Sequence, residues 1–145
     1  MKAMTAPELL GCALKLGRRL LECGAEIYRV EESIQRMCLA YGAQSADVYA
    51  VPTAIIATVQ MDAEHVVTQT CRINQRGTDL NQVAALNALC RMVCICPMSN
   101  FSEILNGLNG RHLIQTAYYA LPAVAWQPSS HGCLAVVWAR EYGPS

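Results

Sequence analysis

The chain has 145 residues, 53% of them hydrophobic and 15% charged, and its eleven Lys plus Arg balance eleven Asp plus Glu. One domain of that length can bury a real core, and so apolar a composition excludes a disordered chain. A neutral chain with no basic face and no acidic tail offers nucleic acid no electrostatic footprint, so no nucleic-acid partner is expected. Lys2 is followed by no long apolar run, so no secretory signal is expected, and the eight Cys read as reduced cytosolic thiols rather than a disulfide framework.

The first helix is predicted to start at Thr5-Ala6-Pro7-Glu8. Thr5 and Glu8 have capping-box spacing, and Pro7 suits a first turn, where its missing N–H costs nothing. Leu10, Ala13, Leu14, Gly17, Leu20 and Leu21 form one apolar stripe, and Gly24 interrupts it. A second helix is predicted from Ala25 to Tyr41, with Ile27, Val30, Ile34, Met37, Cys38 and Tyr41 inward and Gly42 as the residue past its end. The two helices should pair, antiparallel or kinked, about Gly24.

Asp47 to Val59 is β-branched and apolar on both faces, and reads as one buried strand. Pro52 removes a ladder donor, so it belongs at a bulge, an edge or the strand start. Gln60 to Glu64 reads as a turn. His65 to Ile73 reads as the second strand of a hairpin, with Val67, Cys71 and Ile73 on one face and Thr68, Thr70 and Arg72 on the other. Asn74 to Thr78 is a connector. Asp79 or Thr78 caps a third helix, with Asp79 and Gln82 in capping-box form and an expected stripe of Leu80, Val83, Asn87, Cys90 and Cys94. Pro97 ends it. A short fourth helix follows, capped by Ser99 or Asn100, with Phe101, Ile104, Leu105 and Leu108 inward. The expected fold class is therefore α+β: two helices, a β-hairpin, two further helices and an apolar C-terminal segment.

From His112 to Ala139 there is no Asp, Glu, Lys or Arg. The apolar run from Leu113 to Trp126 is shorter than the roughly 20 residues a spanning helix needs, and Gln127 to Gly132 breaks it. Arg111 before the run, with Tyr118, Trp126 and Trp138 along it, fits a membrane interface entered from the cytoplasmic side. The plainer reading is a buried helix and a loose tail. The organisation expected is a domain over 1–110 and, over 111–145, a degenerate or truncated first transmembrane segment.

The run Leu20-Leu21-Glu22-Cys23-Gly24-Ala25-Glu26-Ile27-Tyr28-Arg29-Val30-Glu31-Glu32 resembles the signature helix of the threonine/serine exporter family. Val51-Pro52-Thr53-Ala54-Ile55 is similar to the family's Thr-Pro-Thr strand, with Val for the first Thr. Arg76-Gly77-Thr78-Asp79-Leu80, followed by Val83 and Asn87, resembles its third motif. The order and spacing of all three agree over about residues 8–110, and residues 111–145 depart from the pattern. The resemblance implies a cytoplasmic domain joined to membrane helices, fused or on a partner chain that supplies the missing transmembrane half. It implies export of threonine and serine, or of dicarboxylates such as succinate. The implied location is the cell inner (plasma) membrane, with residues 1–110 on the cytoplasmic side. A homo-oligomer is left open.

Seven residues are candidates for a substrate or interdomain site: Glu26, Arg29, Glu31, Thr53, Arg76, Asp79 and Asn87. Each has a plainer reading. Glu26, Arg29 and Glu31 fit a solvated helix face with i, i+3 pairs. Asn87 falls within the expected apolar stripe, where a buried amide must find partners. Asp79 is first a helix cap. Arg76 has the fork that binds a carboxylate bidentately, which would suit amino-acid or dicarboxylate cargo, though a surface arginine beside a turn is commoner.

Two alternatives need other geometry. A soluble hydrolase-like enzyme would need a cleft joining Glu26, Arg76 and Asp79; the sequence shows no Gly-x-Ser-x-Gly elbow, so no catalytic residue is assigned. A thiol or metal module would need Cys90, Cys94 and Cys96, with His112, to converge. Their spacing is not that of a zinc knuckle, so neither a metal nor a cofactor is expected.

Overall fold

A computed structural model describes residues 4–98 and 101–107. The elements are α1 (Ala6–Glu22), α2 (Ile27–Ala40), β1 (Ser45–Val51), β2 (Ala54–Gln60), β3 (Val66–Arg72), α3 (Leu80–Ile95) and α4 (Phe101–Gly107). The α+β class read from the sequence is the class observed. The proposed caps Ser99 and Asn100, Leu108, His112 and the whole segment 111–145 lie outside the described residues.

α1 begins where the capping box places it. The Glu8 carboxylate accepts from the Thr5 backbone N–H at 2.9 Å and from its hydroxyl at 2.8 Å. Leu9, Leu10, Ala13, Leu14, Leu16, Leu20 and Leu21 are buried. α2 buries Val30, Ile34, Met37 and Cys38 against it. The two helices approach closely at Gly17: a Cβ there would lie 2.5 Å from Ile34 Cδ1 and 3.1 Å from Ile55 Cδ1. Gly17 thus lets the helix pair and the sheet meet at one point, and a larger residue would force them apart.

The span 47–59 is two strands rather than one. Val51 pairs with Ala54, which leaves Pro52 and Thr53 as the two residues of a tight hairpin turn. The reason is Pro52. A proline cannot donate to a ladder, and here it stands where no ladder bond is needed. With β3 the result is an antiparallel three-stranded sheet of order β1-β2-β3. The inner face carries Ala46, Ala50, Ile55, Ala57 and Val59, all buried against α1 and α2. Val67 and Cys71 pack on the same core from β3, and Ile73, just past that strand, is buried in it.

α3 and α4 pack on the helix pair, contributing Ala85, Leu86, Leu89, Val93, Phe101 and Leu105 to one continuous core. The face of α3 is not the expected stripe. Leu80 is 70% exposed, while Val83, Asn87 and Cys94 are half-buried; Ala85, Leu86, Ala88, Leu89, Cys90 and Val93 are the buried set. α3 is apolar on nearly every side, so its periodicity does not select a face. Asn87 therefore stands at the margin of the core, not in it.

Candidate functional site

Three turns meet at one pole of the molecule. They are the α1–α2 corner, the β1–β2 turn and the connector from β3 to α3. Backbone hydrogen bonds join them. The last carbonyls of α1 lack helical partners, as they do in any helix. Here the connector supplies them: Gly77 N–H donates to the Glu22 carbonyl at 2.7 Å and Asp79 N–H to the Cys23 carbonyl at 2.9 Å. Ile73 N–H donates to the Thr53 carbonyl at 2.8 Å, which ties the β1–β2 turn to the start of the connector. The Glu31 carboxylate accepts from Ala50 N–H at 2.8 Å and fixes α2 to β1 nearby.

The corner depends on Gly24. Its φ is +91°, a conformation that side chains with a Cβ rarely adopt, and a Cβ there would lie 2.9 Å from the Gly77 carbonyl oxygen. The Gly of the first motif and the Gly of the third are therefore in backbone contact.

Beside this corner lies a cleft of about 450 Å³, lined by Arg19, Glu22, Cys23, Gly77, Thr78, Asp79 and Gln82. Its groups are already engaged. Arg18 Nε donates to Glu22 at 2.7 Å, which holds the Arg18 guanidinium pKa above its usual value. An Arg19 guanidinium N–H donates to the Leu105 carbonyl. Asp79 Oδ1 accepts from Gln82 N–H at 3.0 Å, the helix cap expected of it. The second half of that capping box is diverted: the Gln82 side-chain oxygen accepts from the Cys23 thiol, and Asp79 N–H goes to Cys23 instead. Burial, and then the charge of Asp79, push the Cys23 thiol pKa up. A protonated thiol is a poor nucleophile.

The seven candidates divide. Asp79 lines the cleft, with Thr78 and Gly77 beside it. Thr53 and Arg76 are exposed, on the turn and the connector of the same pole. Glu26 precedes α2 as its N-cap and pairs with Arg29 at 3.3 Å, both well exposed. A hydrogen bond from Tyr28, and then the Arg29 partner, hold the Glu26 carboxyl below its usual pKa. Glu31 is committed to Ala50. Asn87 lies along α3, away from the cleft lining. Arg19, Glu22, Cys23 and Gln82 are the lining residues sequence reasoning did not single out. Gln82 could have been found, since its capping-box position already placed it beside Asp79.

Among the described residues, this cleft does not bring together the three residues of the hydrolase-like alternative. The cleft joins Asp79 to Glu22 and Cys23, and Glu26 and Arg76 are not among its lining residues. Cys90 and Cys94 are adjacent on α3, but the Cys90 thiol donates to the Ser33 carbonyl at 3.6 Å and burial pushes its pKa up to about 12. Among the described residues no group of three His, Cys, Asp or Glu could hold a metal ion.

The family model for threonine/serine exporters (ThrE) matches residues 12–132. The chain belongs to the threonine/serine exporter family. No curated protein and no solved structure gives a significant match. Membership in this exporter family carries with it a membrane setting and a small-molecule cargo. Among the described residues, no helix is long and apolar enough to cross a membrane. All three motifs that resemble the family's lie at or beside the pole formed by the α1–α2 corner, the β1–β2 turn and the connector.

Proposed function

We propose that residues 1–110 form the cytoplasmic domain of an exporter of threonine, serine or small dicarboxylates, and that 111–145 lead into its transmembrane part at the inner (plasma) membrane. The observation that carries this reading is the convergence. Segments far apart in sequence (20–31, 51–54 and 76–80) are held together at one pole by backbone bonds to Glu22, Cys23 and Thr53. A stability role alone does not require motif residues such as Arg76 and Thr53 to be exposed there.

In this reading the pole faces the transmembrane helices, which the rest of the exporter or a partner chain supplies. Arg76 is the exposed cation of the connector, and its planar fork suits the carboxylate that amino acids and dicarboxylates share. Thr53 and Asp79 shape the surface around it.

The test is efflux from the cell that carries the gene. Deleting the gene should slow efflux of threonine and serine, or of succinate, after loading with the matching dipeptide or acid, and restoring it should recover the rate. Unchanged efflux of all three would overturn the reading.

A further inference from the structure

The last turn of α1 brings two charges to the cleft, Arg19 and Glu22, and the connector brings a third, Asp79. Cys23 lines the cleft with them and is 7% exposed. Burial raises its thiol pKa most, and the charges of Asp79, Arg19 and Glu22 act on it next, so all three stand within electrostatic reach of one group. Thr78 and Gln82 add a hydroxyl and an amide. Two carboxylates and a guanidinium thus surround a space of about 450 Å³, a volume within the range of ligand pockets.

The internal bonds leave these charges capacity for a ligand. Asp79 caps α3 through Oδ1, and Glu22 meets Arg18 through Oε1. Each bond uses one oxygen of its carboxylate, and the group has two. Arg19 donates to the Leu105 carbonyl on α4. A ligand carboxylate can accept from the guanidinium in a bidentate, fully ionic pair, which a single neutral carbonyl cannot match.

α4 is sensitive to that exchange. Seven residues are too few to hold a helix on their own, so α4 depends on what it touches. Phe101 and Leu105 anchor it in the core. Ahead of it, Met98 is fixed on Tyr41, whose hydroxyl donates to the Met98 carbonyl at 2.8 Å and accepts from its N–H at 3.0 Å. Arg19 ties its other end.

We propose that the cleft binds a small zwitterion, its ammonium on Glu22 and Asp79 and its carboxylate on Arg19, and that binding draws Arg19 off Leu105 and frees the end of α4. This rests on the exporter reading and narrows it. Threonine and serine carry both groups, whereas a dicarboxylate sets its second carboxylate against Glu22 and Asp79. The cleft has two states, Arg19 on α4 or Arg19 on the ligand, and the ligand shifts the balance by its preference for the second. Bound cargo is thereby reported to the chain that follows α4.

The experiment is a titration of the full 145-residue chain in mild detergent, monitored by calorimetry and by hydrogen exchange of residues 101–107. L-threonine and L-serine should saturate one site and speed exchange in α4. Succinate and N-acetyl-L-threonine, which lack the ammonium, should do neither. Asp79→Asn keeps the helix cap and Glu22→Gln keeps an acceptor for Arg18, and each should weaken threonine binding about tenfold. Arg19→Met keeps an unbranched side chain but has no donor, so α4 should exchange fast without ligand and respond to none. No saturable binding of either amino acid, equal binding of succinate, binding unchanged in both carboxylate variants, or binding that leaves α4 exchange unchanged would each overturn the proposal. The exporter reading fails separately: unchanged efflux on gene deletion overturns it whatever the cleft binds, while threonine efflux by a chain that binds none strikes the cleft alone.

Discussion

A Cβ at Gly24 would stand 2.9 Å from the carbonyl oxygen of Gly77. The two glycines are far apart in sequence, and their contact closes the α1–α2 corner onto the connector. Gly24 is also held at φ +91°. Gly24→Ala should therefore cost about 2–4 kcal/mol, the left-handed backbone and the collision acting together. Gly42, at φ +96°, provides the comparison because a Cβ there meets nothing within 4 Å. Gly42→Ala should cost only about 1–2 kcal/mol. Urea unfolding of the two variants checks the ranking; equal losses would contradict the contact.

Glu31 holds the edge of the sheet. Glu31→Ala leaves the outward N–H of Ala50 without its acceptor, at a cost of about 1–3 kcal/mol. Glu31→Gln keeps an acceptor and should lose less than half as much. Because the β1 edge is then less protected, the alanine variant should also aggregate at lower temperature. Thermal unfolding followed by light scattering measures both effects.

Asp79 and Arg76 should separate stability from transport. Asp79→Ala removes a helix cap and should cost about 1 kcal/mol, while Asp79→Asn, an equally good cap, should be nearly neutral. Arg76→Ala should change stability by less than about 0.5 kcal/mol, as exposed substitutions usually do. In the efflux assay Arg76→Ala should fall several-fold, with Arg76→Lys intermediate because the ammonium lacks the fork. Full efflux in Arg76→Ala would remove the connector from the cargo path.

The thiols predict an alkaline limit. Burial pushes Cys38 up to about 12 and does the same for Cys90, from an ordinary value of 9.0. The folded state keeps these protons at a pH where the unfolded state releases them. Their contribution is fully present below pH 9 and is lost as pH rises from there towards 12. Melting temperature should hold from pH 7 to 8.5 and fall steadily above 9. At pH 8 a maleimide should label Cys38 and Cys90 only after unfolding; rapid labelling of the native chain would contradict their burial.

The elements readable in the sequence were those with a dominant periodicity or a chemical boundary. Thr5 and Glu8 marked the start of α1, and the stripe from Val30 to Cys38 gave the inner face of α2. Pro52 was visible as an obstacle to a ladder, but not as half of a two-residue turn. That outcome depends on Val51 and Ala54 finding each other across it, a pairing no local pattern encodes. α3 failed for the opposite reason: with apolar residues on nearly every side, the stripe expected through Asn87 is not the buried face, and packing sets Asn87 at the margin. In the site, the motifs named the segments that converge, but the cleft lining was hidden. Arg19, Glu22 and Cys23 read locally as the end of an amphipathic helix, and only the return of the connector gives them Thr78, Asp79 and Gln82 as neighbours.

In the proposed function, a cytoplasmic exporter domain is joined to the membrane through residues after 110. Fractionation of the full chain beside a version ending at Arg111 probes that attachment. The full chain should sediment with membranes and resist carbonate, with residues 1–110 open to protease from the cytoplasmic side, and the short form should stay in the supernatant. Both forms in the supernatant would contradict it.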